Sequence, residues 1–263
     1  ERFRREATHA AGLSHPNIVA IFDRGEADGS YYIVMEFVEG INLEELLLLQ
    51  KSIPWQQSCD FIRQAALGLA AAHAQGLIHR DVKPGNILLE NGIERVKLSD
   101  FGLARAVDEP GVTQAGLIPG TPEFMSPEQV EGRRADRRSD LYSLGAVLYT
   151  MLVGQPPFAN GTPPEIMQKQ RFGRFDPPRN YVPEIPSWLD DITCQLLEKS
   201  PEKRLPDAYV ASRRLLEVIK KVELKNSTVP GSDAETRLDG PVAPGRLGAT
   251  LVRDLVRAQS ARN

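Results

Sequence analysis

The hydrophobic pattern of the chain changes character near residue 39. Before this point, runs of apolar residues at 18–22 and 31–35 predict two strands, joined by a turn that contains two glycines. Residues 1–13 precede them as an amphipathic helix, with apolar side chains on one face. After residue 39, apolar residues recur at helical spacing. The helices predicted there cover residues 43–50, 55–74, 139–153, 163–170, 187–199 and 206–221.

A short β-hairpin interrupts the helical part of the chain. The apolar runs Ile87-Leu88-Leu89 and Val96-Lys97-Leu98 flank Asn91-Gly92, a dipeptide typical of hairpin turns. Residues 101–135 then lack periodicity and contain Gly, Pro and Thr, which indicates a long functional loop. A strand-rich beginning followed by a helix-rich remainder predicts a two-lobed α+β protein, with a cleft at a hinge near residues 38–40.

Composition excludes several classes of function. The 263 residues are 41% hydrophobic and 25% charged, which is ordinary for a globular protein. The net charge of −3 provides no strong basic field, so nucleic acid is not an expected partner. No apolar run reaches the roughly 18 residues that a membrane span needs, so we expect no membrane span in this chain. Cys59 and Cys194 are expected to be reduced thiols in a cytoplasmic or cytoplasm-facing domain.

The last part of the sequence differs from the rest. Residues 227–248 are rich in Pro, Gly and Asp and are typical of a linker. Leucines and valines at helical spacing then predict a short basic amphipathic helix, which is either a fraying tail or a segment that docks on a partner. We therefore expect residues 222–263 to form a linker and tail outside the main domain.

Four residues around the hairpin carry the strongest chemical signal. Asp81, Lys83 and Asn86 lie within six positions in a predicted loop, and Asp100 follows the second strand. Because the hairpin turn lies midway between Asn86 and Asp100, their side chains should meet at the open end of one ribbon. Such oxygen donors suit Mg²⁺, which takes its other ligands from water and phosphate. Asp81 could orient a hydroxyl and Lys83 could neutralise a phosphoryl group, which together suggest phosphoryl transfer.

These residues spell two known motifs, H-R-D-x-x-x-x-N at 79–86 and D-F-G at 100–102. Over residues 1–221 the chain resembles the eukaryotic-like (Hanks-type) Ser/Thr protein kinases, especially bacterial ones of the membrane-associated type. The resemblance implies that Asp81 is the catalytic base, that Lys83 contacts the γ-phosphate, and that Asn86 and Asp100 hold Mg²⁺ or Mn²⁺. A lysine two positions after Asp81 is the arrangement of Ser/Thr kinases rather than tyrosine kinases.

The resemblance also implies a nucleotide site at the hinge. Met35 corresponds to the gatekeeper, backbone groups of Glu36 and Val38 to the adenine contacts, and Leu88 to the residue beneath the adenine. Taken alone, Met35 could equally be a core residue. Glu6 resembles the helix glutamate that pairs with a strand lysine, although in isolation it would be a solvated residue. His15-Pro16-Asn17, at the expected spacing, favours the first interpretation.

Regulatory and architectural roles follow from the same resemblance. Thr113 is the candidate for phosphorylation in an activation loop, with Arg80 as the receptor of its phosphate, although Thr113 could also stay unmodified. Thr121 is expected to hydrogen-bond near Asp81 and Lys83. The residues expected to support the architecture are His79, Phe101, Glu128, Asp140 and Arg204, with Glu128 and Arg204 as an ion pair.

Two family features are missing from these 263 residues. No two glycines are spaced as G-x-G, and no V-A-x-K strand precedes Glu6. We therefore expect an incomplete N-lobe at residues 1–38, a mainly helical C-lobe at 39–221, and little activity from this N-terminally truncated sequence alone. The alternatives are an inactive kinase-like scaffold and a small-molecule kinase. Gly120-Thr121 and Ser126-Pro127-Glu128 favour peptide substrates over small molecules.

The expected activity of the parent protein is transfer of the γ-phosphate of Mg·ATP to Ser or Thr hydroxyls of protein substrates. A dimer of two kinase domains is one arrangement in which autophosphorylation could occur. The expected location is the cytoplasm, or the cytoplasmic face of a membrane for a longer parent protein. The sequence does not indicate the substrates or the signal.

Overall fold

A computed structural model of the chain describes residues 13–27, 30–90, 95–101 and 121–227. The first sheet is the antiparallel hairpin of β1 (Ile21–Ala27) and β2 (Ser30–Met35). The strand predicted at 18–22 therefore begins later than expected. Ile18 instead forms a parallel bridge with Leu98. The backbone around it is satisfied there, because the amide of Leu98 donates to Asn17 and its carbonyl accepts from Val19, both at 2.9 Å.

The second sheet joins the hinge region to the predicted hairpin. Its antiparallel order is β3 (Gly40–Asn42), β4 (Ile87–Glu90) and β5 (Arg95–Leu98). The pairing of β4 with β5 confirms the hairpin strands, whereas β3 is too short to leave a periodic signal. Only glycine fits at position 40, because a Cβ there would lie 2.0 Å from the carbonyl oxygen of Leu89.

Seven α-helices make up most of the second lobe over its described residues. Two of the predicted helices have the observed bounds, and the others differ at their ends by a few residues. The helices are α1 (Leu43–Gln50), α2 (Trp55–Ala74), α3 (Pro127–Val130), α4 (Arg137–Val153), α5 (Pro163–Phe172), α6 (Ser187–Leu196) and α7 (Ala208–Ser227). Helix α3 was not predicted, since four residues show no periodicity. Single 3₁₀ turns occur at Pro84–Asn86, Pro122–Phe124, Pro178–Asn180 and Pro201–Lys203.

The hydrophobic core is centred on α2, which packs against α4, α7 and β5. Helix α4 is buried on all sides from Ser139 to Leu152, so it is a central helix rather than an amphipathic one. Asp136 begins this helix with a capping box, and Gly154 ends it in the left-handed conformation. The small β1–β2 lobe and the helical lobe confirm the predicted α+β class. No helix within the described ranges is long and apolar enough to cross a bilayer.

Candidate active site

The loop of residues 79–86, here called the HRD loop, lies between α2 and β4 and brings two predicted residues, Lys83 and Asn86, to the carboxylate of a third, Asp81. The side-chain amide of Asn86 donates to the carbonyl of Asp81 at 2.8 Å and to its Oδ2 at 3.0 Å. The ammonium of Lys83 lies 2.8 Å from the same Oδ2. The Asp81 side chain remains 38% exposed to solvent. The loop thus presents an accessible carboxylate whose orientation two neighbours fix.

Asn86 and Asp100 lie at the same open end of the β4–β5 ribbon. The amide of Ser99 donates to the Asn86 carbonyl at 3.0 Å, which continues the ladder one step beyond the Ile87–Leu98 pair. The Ser99 hydroxyl also lies 3.3 Å from Oδ2 of Asp100. Since the Asn86 amide nitrogen is engaged by Asp81, its Oδ1 is the atom left to bind a cation. The open end of the ribbon therefore presents the amide oxygen of Asn86 close to the exposed carboxylate of Asp100.

Two of the three non-glycine residues with positive φ in the described ranges lie at this site, the third being Lys51. Arg80 and Asp100 have φ angles of 67° and 57°, in the left-handed region that residues with a side chain seldom adopt. Such strain persists only where the surroundings enforce it. The amides of His79 and Arg80 donate to the buried Asp140 carboxylate at 2.9 and 2.8 Å. The Gln129 side chain donates to the Arg80 carbonyl at 2.8 Å, so both the amide and the carbonyl of Arg80 are held.

The rings of His79 and Phe101 pack against each other beneath the site, with centroids 4.5 Å apart. His79 is fully buried, and its burial lowers its pKa below 6.5, although the charges of Asp140 and Asp81 oppose this shift. Its Nδ1 accepts a long hydrogen bond of 3.4 Å from the Asp81 amide, which fits a neutral ring. His79 is thus a core residue that holds the HRD loop against Phe101.

A pH dependence of stability follows from this burial. The unfolded chain binds a proton at His79 near pH 6.5, whereas the folded chain binds it only at lower pH. The free energy of unfolding should therefore fall as pH drops below 6.5, by up to about 1.4 kcal/mol per pH unit for this one group. Urea unfolding of the wild type and of His79→Phe at pH 7.5 and 5.5 measures the effect. Equal losses in both proteins would contradict it.

The residues predicted at the nucleotide site lie at the end of β2, just after it, and on β4. Met35 lines a pocket together with residues before β1 and at the end of β5, among them Leu98, Asp100 and Phe101. The Glu36 amide donates to the Ala20 carbonyl at 2.8 Å, so only its carbonyl can serve an adenine edge. Val38 is half-buried, and Leu88 lies on β4 opposite Asn42 and Lys97.

An ion pair between the hinge and β5 was not predicted. The ammonium of Lys97, whose side chain is 7% exposed, lies 2.6 Å from Oε1 of Glu36. The other oxygen, Oε2, accepts from the Ala20 amide at 3.1 Å. Burial raises the pKa of Glu36, but the hydrogen bond and charge of Lys97 lower it more, so the net pKa lies below 4.5. The pair connects the hinge to the strand that ends near Asp100.

Removal of either partner should destabilise the fold to different extents. Glu36→Ala leaves a buried ammonium without its carboxylate and should cost about 3–5 kcal/mol. Lys97→Met should cost less, because methionine fills the space of the lysine stem and Glu36 can turn to water. The double variant should be more stable than the sum of the single effects implies. Urea unfolding of the four proteins tests this, and strictly additive effects would contradict the coupling.

The remaining predicted residues fall into three groups. Arg204 contacts Glu128 through two parallel hydrogen bonds of 2.7 and 2.8 Å in a buried pair. Thr121 is exposed at the start of a 3₁₀ turn and forms no hydrogen bond with Asp81 or Lys83, whose charged groups contact each other instead. Glu6 and Thr113 lie outside the described residues.

Two glutamines of the site were also not predicted, because each acts across the fold. Gln129 binds the Arg80 carbonyl, as described above. Gln170, fully buried on α5, donates to the carbonyls of Pro122 at 3.1 Å and Glu123 at 2.6 Å. An isolated glutamine in a sequence carries no signal of such partners, so only the folded chain reveals these contacts.

The similarity of this chain to known proteins agrees with the geometry of the site. The profile of the protein kinase domain family matches residues 1–215. The serine/threonine-protein kinase PknB of Mycobacterium leprae is 41% identical over 222 residues, which are 82% of this chain and 36% of that protein. PknB of Mycobacterium tuberculosis is 40% identical over 213 residues, 79% of this chain and 34% of that protein.

The serine/threonine-protein kinase PrkC of Bacillus subtilis is 36% identical over 207 residues, 79% of this chain and 32% of that protein. The chain thus spans about a third of the length of these curated relatives. The HRD loop, the D-F-G start at Asp100 and the two-lobed fold agree with these matches. The chain belongs to the protein kinase domain family, among its bacterial eukaryotic-like (Hanks-type) Ser/Thr members.

Proposed function

We propose that the protein transfers the γ-phosphate of ATP to Ser or Thr hydroxyls of protein substrates. The observation that carries the proposal is the Asp81 carboxylate, which is exposed to a substrate while Asn86 and Lys83 fix its orientation. Phosphoryl transfer needs little covalent chemistry from the protein, and its catalysis is mainly positioning and charge stabilisation. An oriented carboxylate beside a lysine supplies both.

Each residue has one role in this proposal. Asp81 orients the attacking hydroxyl and takes its proton, and Lys83 moves from Asp81 to the transferred phosphoryl group when ATP is present. Thr121, at the end of the 102–120 segment, favours Ser and Thr acceptors. Phosphorylation of Thr113 would draw its phosphate to Arg80. Such charge-assisted contacts order loops in switching proteins.

The donor set at the ribbon end fits a divalent ion of the Mg²⁺ type. Asn86 offers an amide oxygen and Asp100 an exposed carboxylate, both hard oxygen ligands. No group of three or more His, Cys, Asp or Glu side chains in the described ranges could hold a metal on its own. This fits an ion that arrives with a nucleotide and neutralises its phosphate charge.

The nucleotide itself would lie at the hinge. Met35 would limit the depth of the pocket, the Glu36 carbonyl and the Val38 backbone would meet the adenine edge, and Leu88 would pack beneath the ring. Glu6 would pair with a strand lysine that these 263 residues lack, as they lack the glycine loop. We therefore expect weak or no activity from residues 1–263 by themselves. The boundary between the lobes in this proposal lies near residues 38–40.

A cytoplasmic location for this domain is part of the proposal, because ATP is supplied there. The two cysteines are free thiols. Burial, helped by the nearby Asp60 charge, raises the pKa of Cys59 to about 12, so this thiol stays protonated and unreactive.

The direct test is a phosphorylation assay with an extended protein, defined as residues 1–263 preceded by the glycine loop and lysine strand of a related kinase. Mg·ATP is supplied with a mixture of proteins, with free serine, or with sugars. The proposal predicts phosphoserine and phosphothreonine in proteins only. Weak or no Mg·ATP binding, together with no transfer, would favour the inactive scaffold, and transfer to free serine or sugars would favour the small-molecule kinase.

A further inference from the structure

Basic side chains are concentrated on one surface of the helical lobe. We call the α3–α4 connection at 131–138 and the end of α5 at 169–174 the basic surface. It holds seven basic residues and two acidic ones, a net charge of +5 on a chain whose net charge is −3. The basic residues are Arg133, Arg134, Arg137, Arg138, Lys169, Arg171 and Arg174. All are exposed except Arg138, which is half-buried.

Ion pairs make the two segments one surface. Glu131 contacts Arg133 at 2.6 Å and Arg171 at 3.3 Å, so it joins the connection to α5. Arg134, Arg137 and Arg174 form no ion pair with any described residue. Three exposed guanidinium groups therefore remain available to an anionic partner beside a segment that is already fixed in place.

The surface is attached to the part of the chain that a protein substrate would approach. Gln170, between Lys169 and Arg171, holds the carbonyls of Pro122 and Glu123, which directly follow Thr121. At the other end, Gln129 of α3 holds the Arg80 carbonyl of the HRD loop. A substrate whose acceptor hydroxyl reaches Asp81 would thus have its neighbouring residues near the basic surface.

We propose that the basic surface docks an acidic segment, rich in Asp and Glu, of the protein substrates. The choice of partner rests on the proposed function, and charge complementarity supports it. Guanidinium groups bind carboxylates through two parallel hydrogen bonds, a geometry that lysine does not match. A positive surface also raises the rate of encounter with an acidic partner. The exposed Phe172 ring, over which Arg171 lies at 4.6 Å, adds an apolar contact.

Binding to residues 1–263 can be measured without catalysis, by fluorescence anisotropy of a labelled peptide. The probe is a twelve-residue peptide with one threonine and a run of Asp and Glu, and its neutral analogue carries Asn and Gln instead. The test variant combines Arg134→Gln, Arg137→Gln and Arg174→Gln. The matched control combines Arg95→Gln, Arg213→Gln and Lys220→Gln, which remove the same charge from exposed positions on β5 and α7.

The proposal predicts that the test variant binds the acidic peptide about tenfold or more weakly, and that its binding depends less on salt. The control should bind like the wild type, and the neutral peptide should bind weakly to all three. An equal loss of affinity for the acidic peptide in the test variant and the control would overturn the proposal, because binding would then depend only on the net charge of the protein. Binding of anionic vesicles or RNA in place of the peptide, if the test variant loses it, would overturn the proposal too.

Failure of the docking proposal can be distinguished from failure of the proposed function. Loss of phosphorylation in the extended protein with peptide binding intact would defeat the enzymatic proposal and leave the docking surface standing. Phosphorylation of proteins without any preference for acidic peptides, together with unchanged binding by the test variant, would defeat the docking surface alone.

Discussion

Replacing Asp81 with asparagine should lower the rate of protein phosphorylation by the extended protein by roughly 10²–10⁴-fold, the usual contribution of a positioned general base. The amide keeps the size of the carboxylate but cannot accept the proton of the attacking hydroxyl. It would also end the ion pair with Lys83, which is 2.8 Å long in the structure. The KM for ATP should change little, because Asp81 is not among the proposed nucleotide contacts.

The measurement is initial rate against ATP and against protein substrate for the wild type, Asp81→Asn and a control, Asp191→Asn. Asp191 is an exposed residue of α6, and its replacement should leave the rate unchanged. Full activity in Asp81→Asn would show that another group takes the proton. Loss of nucleotide binding together with activity would show that Asp81 acts in binding instead.

The second large effect concerns stability and is expected at Arg204. Its guanidinium is fully buried and binds both oxygens of Glu128, and it also donates to the carbonyls of Arg138, Glu198 and Lys199. Arg204→Met would leave a buried carboxylate without its partner, at a cost of about 3–5 kcal/mol. Combining it with Glu128→Leu should recover part of this loss. Arg213→Met, on the exposed face of α7, should change stability by less than about 0.5 kcal/mol.

The same ion pair should make the stability of the wild type depend on pH. Burial raises the pKa of Glu128, but the hydrogen bonds and charge of Arg204 outweigh it and hold the pKa below 4.5. The unfolded carboxyl therefore binds its proton first, and the stability from this pair is complete above pH 4.5 and lost as pH falls further. Between pH 7 and pH 4, the free energy of unfolding measured in urea should decrease less in the double variant, Glu128→Leu with Arg204→Met, than in the wild type. Identical decreases would contradict the role of the pair.

The local pattern of apolar residues was sufficient to predict those helices and strands whose apolar residues recur with a strong period and whose ends carry a clear stop signal. Helix α2 has its predicted bounds because Pro54 precedes it and Gly76 follows it, and β4 and β5 pair on either side of the Asn91-Gly92 dipeptide from which they were predicted. The strand predicted at 18–22 begins later because Ile18 and Val19 pair with Leu98 of β5, so that the first hairpin starts only at Ile21. Strand β3 and helix α3 are too short for any period to show.

The proximity of Asp81, Lys83, Asn86 and Asp100 could be predicted because the proposed chemistry requires these residue types at fixed spacing, whereas their catalytic and metal-binding roles stay predictions. Their support could not be predicted, since Lys97 and Glu36 are 61 residues apart and Gln129 and Arg80 are 49 apart. Such contacts depend on how strands and helices from distant parts of the chain meet. A lysine in an apolar strand gives no sign of the carboxylate that allows its burial.

The central claim is that Asn86 and Asp100 bind the divalent ions of one nucleotide at the end of the β4–β5 ribbon. Electron paramagnetic resonance of Mn²⁺, with a non-hydrolysable ATP analogue and the extended protein, tests it most directly. We expect nucleotide-dependent Mn²⁺ binding in the wild type, and marked weakening in both Asn86→Leu and Asp100→Asn with the fold intact by circular dichroism. Unchanged Mn²⁺ binding in folded Asp100→Asn would contradict the claim.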